Sequence, residues 1–480
     1  MDNRLIIKNA TALGVSGFMA KAITAVVGIF ITRYLGPGPY GDYSAAYAFA
    51  GAFILFAEWG ISQLMVQEGS RNPLVLPRYF GNTLLFKSLL AILCYFLMLV
   101  FMFPAGYNQT IKTLILVIGL AVCFNALNQS VYNYYQAVQK NYLSAWFQFL
   151  TTMLIAVFSV IVILRGMGIV AFTFGYLFSY IIISILLFLA LRKEIRPVVQ
   201  LNSLPDMVKR GMPFGIHRIF YYLFAQISII ILSLITTSVE LGIFSAAYKL
   251  MLVLIFIPSL MTSALYPVLY QLGETDADKH QNLTEKIFKV LSAVGIAGST
   301  LIFVLAEPLV AWLYDGKFNG SAPILMIVTW LLAFECMSFS LGDVLTTTNR
   351  QWQRTILQGS ALVILIAMIL ILYPRLGVYG AAYTVIAVEA FIFAGYYLLV
   401  RRGVYKLRLW RQLYRTFIAA LLMAGTAWMM KDLHPLISAA TAGIVFCTVL
   451  LILDKEFRKI GQYVWGMMRR LLRQIAHKKT

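Results

Sequence analysis

Gly41-Asp42-Tyr43-Ser44-Ala45-Ala46-Tyr47 returns later in the chain as Gly242-Ile243-Phe244-Ser245-Ala246-Ala247-Tyr248. Ser-Ala-Ala-Tyr is matched without a gap. Each copy opens an apolar run long enough to cross a bilayer and follows another such run across a short turn. A second echo, Gly168-Ile169-Val170-Ala171 against Gly377-Val378-Tyr379-Gly380-Ala381, falls at corresponding places. Two marks in the same order at nearly the same spacing imply two structurally repeated halves. The small residues in these marks let neighbouring helices approach closely.

The class of the protein follows from composition. Of 480 residues, 61% are hydrophobic and 12% charged, whereas a soluble globular chain is about 45–50% apolar. Uncharged runs of roughly 20 residues recur along the chain, each enough for a helix of about 30 Å. The alternation required by a transmembrane β-barrel is absent. The expectation is an all-α polytopic membrane protein of about 14 transmembrane helices, in two parallel six-helix repeats with an appended C-terminal pair. The spans fall near 9–33, 41–66, 79–103, 112–136, 141–164, 167–191, 213–237, 241–268, 284–306, 320–346, 352–373, 377–400, 411–430 and 435–453. This divides the chain into an N-terminal lobe (1–192), an inter-lobe linker (193–212), a C-terminal lobe (213–402), the appended pair (403–454) and a basic tail (455–480). An even number of spans per half gives both halves one orientation, with a pseudo-twofold axis along the membrane normal.

The formal charge of +20 needs no nucleic acid to explain it. Lys and Arg concentrate in the amino end, the even-numbered loops and the tail, which is the positive-inside pattern. It places both termini in the cytoplasm and the chain in the cell membrane. The run after Arg4 and Lys8 lacks a signal-peptide cleavage site and is expected to stay as a signal anchor. In the tail, Phe457, Ile460, Val464, Met467, Met468, Leu471, Leu472 and Ile475 recur at helical spacing among basic residues, an amphipathic helix expected on the inner leaflet, against membrane lipid. Cys94, Cys123, Cys336 and Cys447 sit in apolar runs and read as packing residues. The four histidines are scattered without metal-ligand spacing, so neither a metal nor another cofactor is expected. No phosphate-binding Walker loop occurs.

Ionisable residues inside the spans are the candidate site, because a charge facing lipid costs several kcal/mol. Lys21 lies about 18 Å of helical rise from the cytoplasmic end, and Lys249 about 12 Å below the outer face. The two are therefore expected at one depth, as a cationic patch, with Arg218 in the first turns of the seventh span. Glu58, Glu335 and Glu389 also lie within spans. Two roles fit them: neutralising cations in a polar interior, or binding a coupling Na+ or proton. Arg218 is the expected partner of Glu58. The repeat does not reproduce these charges, since Lys21, Glu58 and Lys249 correspond to Tyr222, Ser259 and Ala48. Scaffold symmetry therefore does not require them. In the fourth span, Asn125, Asn128, Gln129, Tyr132, Asn133, Tyr134, Tyr135 and Gln136 form a polar, aromatic stripe, read mainly as inter-helix hydrogen bonding and an interfacial belt.

Arg33-Tyr34-Leu35-Gly36 with Tyr40-Gly41, the Gly-x-x-Ser-Ala-Ala-Tyr stretch, Gly211-x-Pro213, and Gly377-x-x-Gly380-Ala381 together resemble the polysaccharide transporter family of the multidrug/oligosaccharidyl-lipid/polysaccharide exporter (MOP) superfamily. The resemblance covers about residues 5 to 455. It implies a flippase, not an enzyme, that carries an undecaprenyl-pyrophosphate-linked oligosaccharide from the inner to the outer leaflet by alternating access, working beside a polysaccharide polymerase and glycosyltransferases. It also implies that Lys21, in the first helix, faces the lipid pyrophosphate; Lys249 joins it by depth alone. The rival transport reading is a multidrug exporter driven by Na+ or H+, for which an acidic cavity is the fitting chemistry. A membrane-embedded glycosyltransferase or ligase ranks below both, because long outer loops and acid-base pairs are missing. Reporter fusions after Thr480 and within 191–211 should both read cytoplasmic; an external signal at either position overturns the orientation and with it the parallel repeat.

Overall fold

The computed structural model describes residues 3–407 and 409–459. No strand occurs among them. Sixteen α-helices run in chain order: α1 Asn3–Leu35, α2 Pro37–Ile54, α3 Ile61–Arg71, α4 Leu76–Met102, α5 Gln109–Ala137, α6 Asn141–Leu164, α7 Ile169–Leu191, α8 Leu204–Ile235, α9 Ser238–Thr275, α10 Ala277–Tyr314, α11 Ser321–Val328, α12 Trp330–Thr347, α13 Gln351–Leu376, α14 Val378–Gly403, α15 Leu409–Met429 and α16 Pro435–Leu453. Each of the fourteen expected spans coincides with a helix or with a broken pair of helices. Eleven stretches among the described residues are long and apolar enough to cross a membrane, and α8 and α15 contribute the shorter apolar segments Tyr222–Ile235 and Leu413–Met429. The protein is a multi-pass membrane protein. Of the expected tail helix, residues 460–480 lie outside the described residues.

Two expected spans are broken. The second is α2, a 3-10 turn at Leu55–Glu58, and α3, with Gly60 in the left-handed region at φ 75°, which glycine adopts without steric cost. The tenth is α11 and α12, which part at Thr329. Backbone freed by a break inside a membrane must find partners in the protein. Ser299 of α10 supplies them: its hydroxyl donates to the Thr329 carbonyl at 2.7 Å and accepts from the Ala333 amide at 3.1 Å. The Thr329 hydroxyl returns a bond to the Ser299 carbonyl at 3.2 Å.

The chain falls into two compact units: residues up to Ala246 with Leu365–Ala381, and Ala247–Ile364 with Ala382 onward. In the first, the two glycines of the repeated stretch face each other. A Cβ on Gly41 would overlap the Ser238 carbonyl and approach the Gly242 amide within 2.9 Å; one on Gly242 would overlap the Pro37 carbonyl and approach the Gly41 amide within 3.1 Å. The starts of α2 and α9 thus meet backbone to backbone, with a hydrogen bond from Ser238 to Asp42 across the contact. Gly215 of α8 seats in the same way on Trp59, at the break after α2. The linker into α8 is held by Asn82 of α4, whose amide accepts from the Gln200 backbone at 2.8 Å and donates to its carbonyl at 3.0 Å. In the second unit, α10 packs on α12, α15 and α16; Gly295 of α10 lies where a Cβ would come within 2.7 Å of Cys336. Of the four cysteines read as packing residues, Cys94 and Cys336 are buried and Cys123 half-buried, whereas Cys447 is exposed on α16.

Gly41→Val and Gly242→Val should each destabilise the purified protein by about 1–3 kcal/mol, measured as a lowered thermal midpoint in detergent. Gly28→Ala, where a Cβ meets nothing within 4 Å, should leave the midpoint at or above that of the parent chain.

Candidate functional site

In the first unit, the break after α2 holds a buried ion pair. Glu58 ends the 3-10 turn, is 8% exposed, and accepts a hydrogen bond from the Nζ of Lys87 on α4 at 2.9 Å. Lys87 is fully buried and also donates to Ser62 of α3 at 3.3 Å. The pair pins turn, α3 and α4 together. Lys87 was not among the expected site residues, although a lysine inside an apolar run is the signal that would have found it. The Arg218 side chain, expected beside Glu58, lies outside the described residues. Lys21 is exposed along α1. Lys249 belongs to the second unit, where it is half-buried on α9.

The second unit holds most of the buried charge. Arg354 of α13 lays its guanidinium flat against Gly342, where a Cβ would come within 3.1 Å of the Arg354 Cζ. It donates to the Gly342 carbonyl at 3.2 Å and the Thr346 hydroxyl at 2.9 Å, and lies 3.6 Å from Asp343 Oδ1. Its other side faces the Tyr396 ring of α14, 6.0 Å from the centroid. Asp343 and Tyr396 are 3% and 2% exposed, and Asp343 Oδ2, Arg354 Nε and the Tyr396 hydroxyl have no hydrogen-bond partner among the described residues. Farther along α12, which carries Asp343, and α14, which carries Tyr396, stand Glu335 and Glu389. Glu335 is within electrostatic reach of both Arg354 and Glu389. Glu389 is 2% exposed. The structure thus brings together two of the three carboxylates the sequence singled out, and adds Arg354, Asp343 and Tyr396. Glu335 has the Arg354 charge within reach, and a pair of carboxyl groups in a low-dielectric interior has the chemistry to take up a proton or a small cation.

A separate cluster closes the end of the described chain. Lys289 of α10, 5% exposed, contacts Asp454 at 2.6 Å and Glu456 at 2.7 Å, and Arg415 of α15 reaches Asp454 at 3.2 Å. Burial pushes the Asp454 carboxyl up, but hydrogen bonds from Lys289 and the Glu456 amide, with the neighbouring positive charges, outweigh it and hold the group below the usual carboxylate range. This is a clamp on the chain beyond α16. Its residues were also missed, because Lys289 and Arg415 lie near the cytoplasmic ends expected for their spans and read there as ordinary inside-positive charge.

The sequence matches the family described as Polysaccharide biosynthesis protein over residues 6–273. The chain belongs to this family. No curated protein matches the sequence. Among solved structures, the lipid II flippase MurJ in an inward closed conformation superposes with a TM-score of 0.76 at 14% identity, covering 92% of this chain and 99% of that one. An inward-facing multidrug resistance MATE transporter of the MOP superfamily gives 0.67 at 15% identity, over 80% and 94%. A MOP superfamily transporter from Pyrococcus furiosus, described as having a binding pocket of reverse polarity, gives 0.54 at 14% identity, over 83% and 95%. The fold is that of the MOP superfamily transporters.

Breaking the first unit's ion pair by Lys87→Met should lower stability by about 3–5 kcal/mol, because a buried carboxylate loses its counter-charge. Glu389→Gln replaces a buried carboxyl beside Glu335 with a neutral amide of the same shape and should leave stability at or above the parent value. Thermal unfolding of the two variants in one detergent checks both; equal losses would contradict the assignment.

Proposed function

We propose that the chain is a flippase for an undecaprenyl-pyrophosphate-linked oligosaccharide, a precursor of cell-surface polysaccharide, moving it from the inner to the outer leaflet by alternating access. The observation that carries this reading is the family match across more than half of the chain, on a fold shared from end to end with a lipid flippase. The proposal includes no bond-making or bond-breaking step. It places the chain in the cell membrane with both termini in the cytoplasm, beside a polymerase and glycosyltransferases that consume and supply the lipid.

Lys21, Lys249 and Arg218 are assigned to the pyrophosphate. An ammonium or guanidinium gives charge-assisted hydrogen bonds to phosphate oxygens, and the arginine fork can engage two at once. Coupling to Na+ or H+ is assigned to Glu335 and Glu389, with Glu58 left to its structural pairing with Lys87. An ion moves the balance of two states only if it binds them differently, and a carboxylate pair that cannot hold two charges is sensitive to its surroundings in that way. The same pair favours the second reading, a cation-coupled multidrug exporter, since acidic groups attract organic cations.

Vesicles reconstituted with the protein and with lipid-linked oligosaccharide extracted from source cells lacking it should flip that lipid. Lys21→Ala and Lys249→Ala should abolish flipping while leaving the folded protein in the membrane, with Lys→Arg partly active. An imposed Na+ or proton gradient should change the rate, and Glu335→Gln or Glu389→Gln should remove that response. Flipping at parental rate by both alanine variants rejects the pyrophosphate assignment, insensitivity to both gradients rejects coupling, and gradient-driven uptake of an organic cation without lipid flipping establishes the exporter instead.

A further inference from the structure

Tyr43 and Tyr47 stand one turn apart on α2, and Phe172, Tyr176 and Tyr180 stand at the same interval on α7. The two ladders mesh edge to face, with ring centroids 5.4 Å apart for Tyr43 and Phe172 and 6.5 Å for Tyr47 and Tyr176. Along α7 the rings of Tyr176 and Tyr180 are 5.0 Å apart and their hydroxyls 3.2 Å. Tyr222 of α8 brings its hydroxyl onto Gly51, one turn beyond Tyr47, where any Cβ would overlap it. Ser184 extends the i, i+4 row on α7 and donates to Asn128 of α5 at 2.8 Å. From Phe172 to Ser184 the row runs about 18 Å, more than half the thickness of a bilayer core.

Apart from Phe172, which is 6% exposed, these rings are not sealed into a core. Tyr132, Tyr134 and Tyr135 of α5, in the same unit, are 5%, 5% and 0% exposed, whereas Tyr43, Tyr47, Tyr176, Tyr180 and Tyr222 all keep part of their surface accessible. Nor is this the lipid face. Phe174 and Phe178, two residues out of phase with the ladder on α7, are 41% and 49% exposed, and a helix two-faced in this way puts phenylalanine towards hydrocarbon and phenol towards the protein interior. What remains is an accessible surface of flat rings edged by hydroxyls. It carries no charge along α7, whose sequence has no ionisable acid or base, and the acid at the start of α2, Asp42, accepts a bond from Ser238.

The geometry points to this tyrosine ladder as the surface that takes the sugar rings of the carried lipid. Pyranose rings present apolar C–H faces ringed by hydroxyls, which match phenol faces for stacking and phenol oxygens for hydrogen bonds. Aromatic faces also attract organic cations, but hydroxyls repeated at one-turn intervals supply donors and acceptors that a glycan uses and such a cation does not. The inference rests on the flippase reading and adds to it which part of the substrate is held, where, and by what chemistry.

The test compares two probes on the detergent-purified full chain: the lipid-linked oligosaccharide extracted from source cells lacking this protein, and undecaprenyl pyrophosphate, the same lipid without its glycan. The parent chain should bind the intact lipid about tenfold more tightly or better, the yield of one or two stacked rings with their hydrogen bonds. Tyr47→Leu with Tyr176→Leu should erase that preference while leaving affinity for undecaprenyl pyrophosphate unchanged, which also reports an intact fold. Tyr176→Phe with Tyr180→Phe should reduce the preference about threefold or more through lost hydroxyls alone. Phe174→Leu should change neither affinity. A preference that survives in the leucine pair, or a parent chain that binds both lipids equally, overturns the ladder assignment and leaves the flippase reading standing. A parent chain that binds neither lipid but binds tetraphenylphosphonium overturns both.

Discussion

Every backbone amide and carbonyl that meets hydrocarbon must be satisfied within the chain, and this one constraint accounts for most of what is regular here and for both irregularities. It makes the described residues helical without a strand. It also confines broken backbone to places where the protein itself supplies partners. At Thr329 the partner is Ser299, a residue with no other evident task than to face a gap in the neighbouring helix. The break after α2 is tied down through side chains instead: a fully buried lysine on α4 bonds the carboxylate and the hydroxyl on either side of the turn. The breaks are therefore built features, each held by side-chain bonds from a neighbouring helix, with Gly215 of α8 also seated on the first.

Close approach of helices is the second consequence, since lipid offers no hydrophobic drive between apolar surfaces and helix association depends on packing. Gly41 and Gly242 let the starts of α2 and α9 touch backbone to backbone, and no other residue type fits there. The repeated stretch that declared the two halves in the sequence is thus also a place where its two copies meet. Repetition and contact have one cause: the same small-residue face, used twice, is self-complementary. The fold was accordingly legible from the sequence. The fourteen apolar runs each became a helix or a broken pair, because length and hydropathy alone decide that outcome in a membrane.

The site was legible only in part, and the reason is physical. Glu335 and Glu389 stood out because they interrupt apolar runs near the middle, and the structure places them within reach of each other. Arg354 and Asp343 did not, because they sit within a turn or so of the expected ends of their spans, where a charge can reach water and needs no partner. Only the fold shows that Arg354 is turned inward onto Gly342 and Tyr396. The tyrosines of α2 and α7 were hidden for a different reason. Tyrosine is common both in membrane-interface belts and in cores, so its presence carries little information until exposure separates the sealed rings of α5 from the accessible rings of the ladder.

A carrier must release what it binds, and this bears on why phenols rather than charges would line the path of a glycan. A buried ion pair such as Glu58 with Lys87 is costly to break, because either partner alone is left charged in a low dielectric. Groups of that kind hold a structure in one arrangement. Neutral hydrogen bonds and ring contacts are each worth about 1 kcal/mol net, because water replaces them readily when they part. A row of such groups at one-turn intervals offers a sugar many nearly equivalent positions, none deep enough to trap it. On the proposed reading, strong electrostatic contacts are best kept for the pyrophosphate, whose charge must be compensated wherever it leaves water, and for a carboxylate pair whose proton or cation would bias one arrangement over the other. Each unit keeps a closed ion pair, Glu58 with Lys87 in the first and Lys289 with Asp454 in the second, and in the first it stands apart from the phenols that, on the proposed reading, a sugar would touch and leave at low cost.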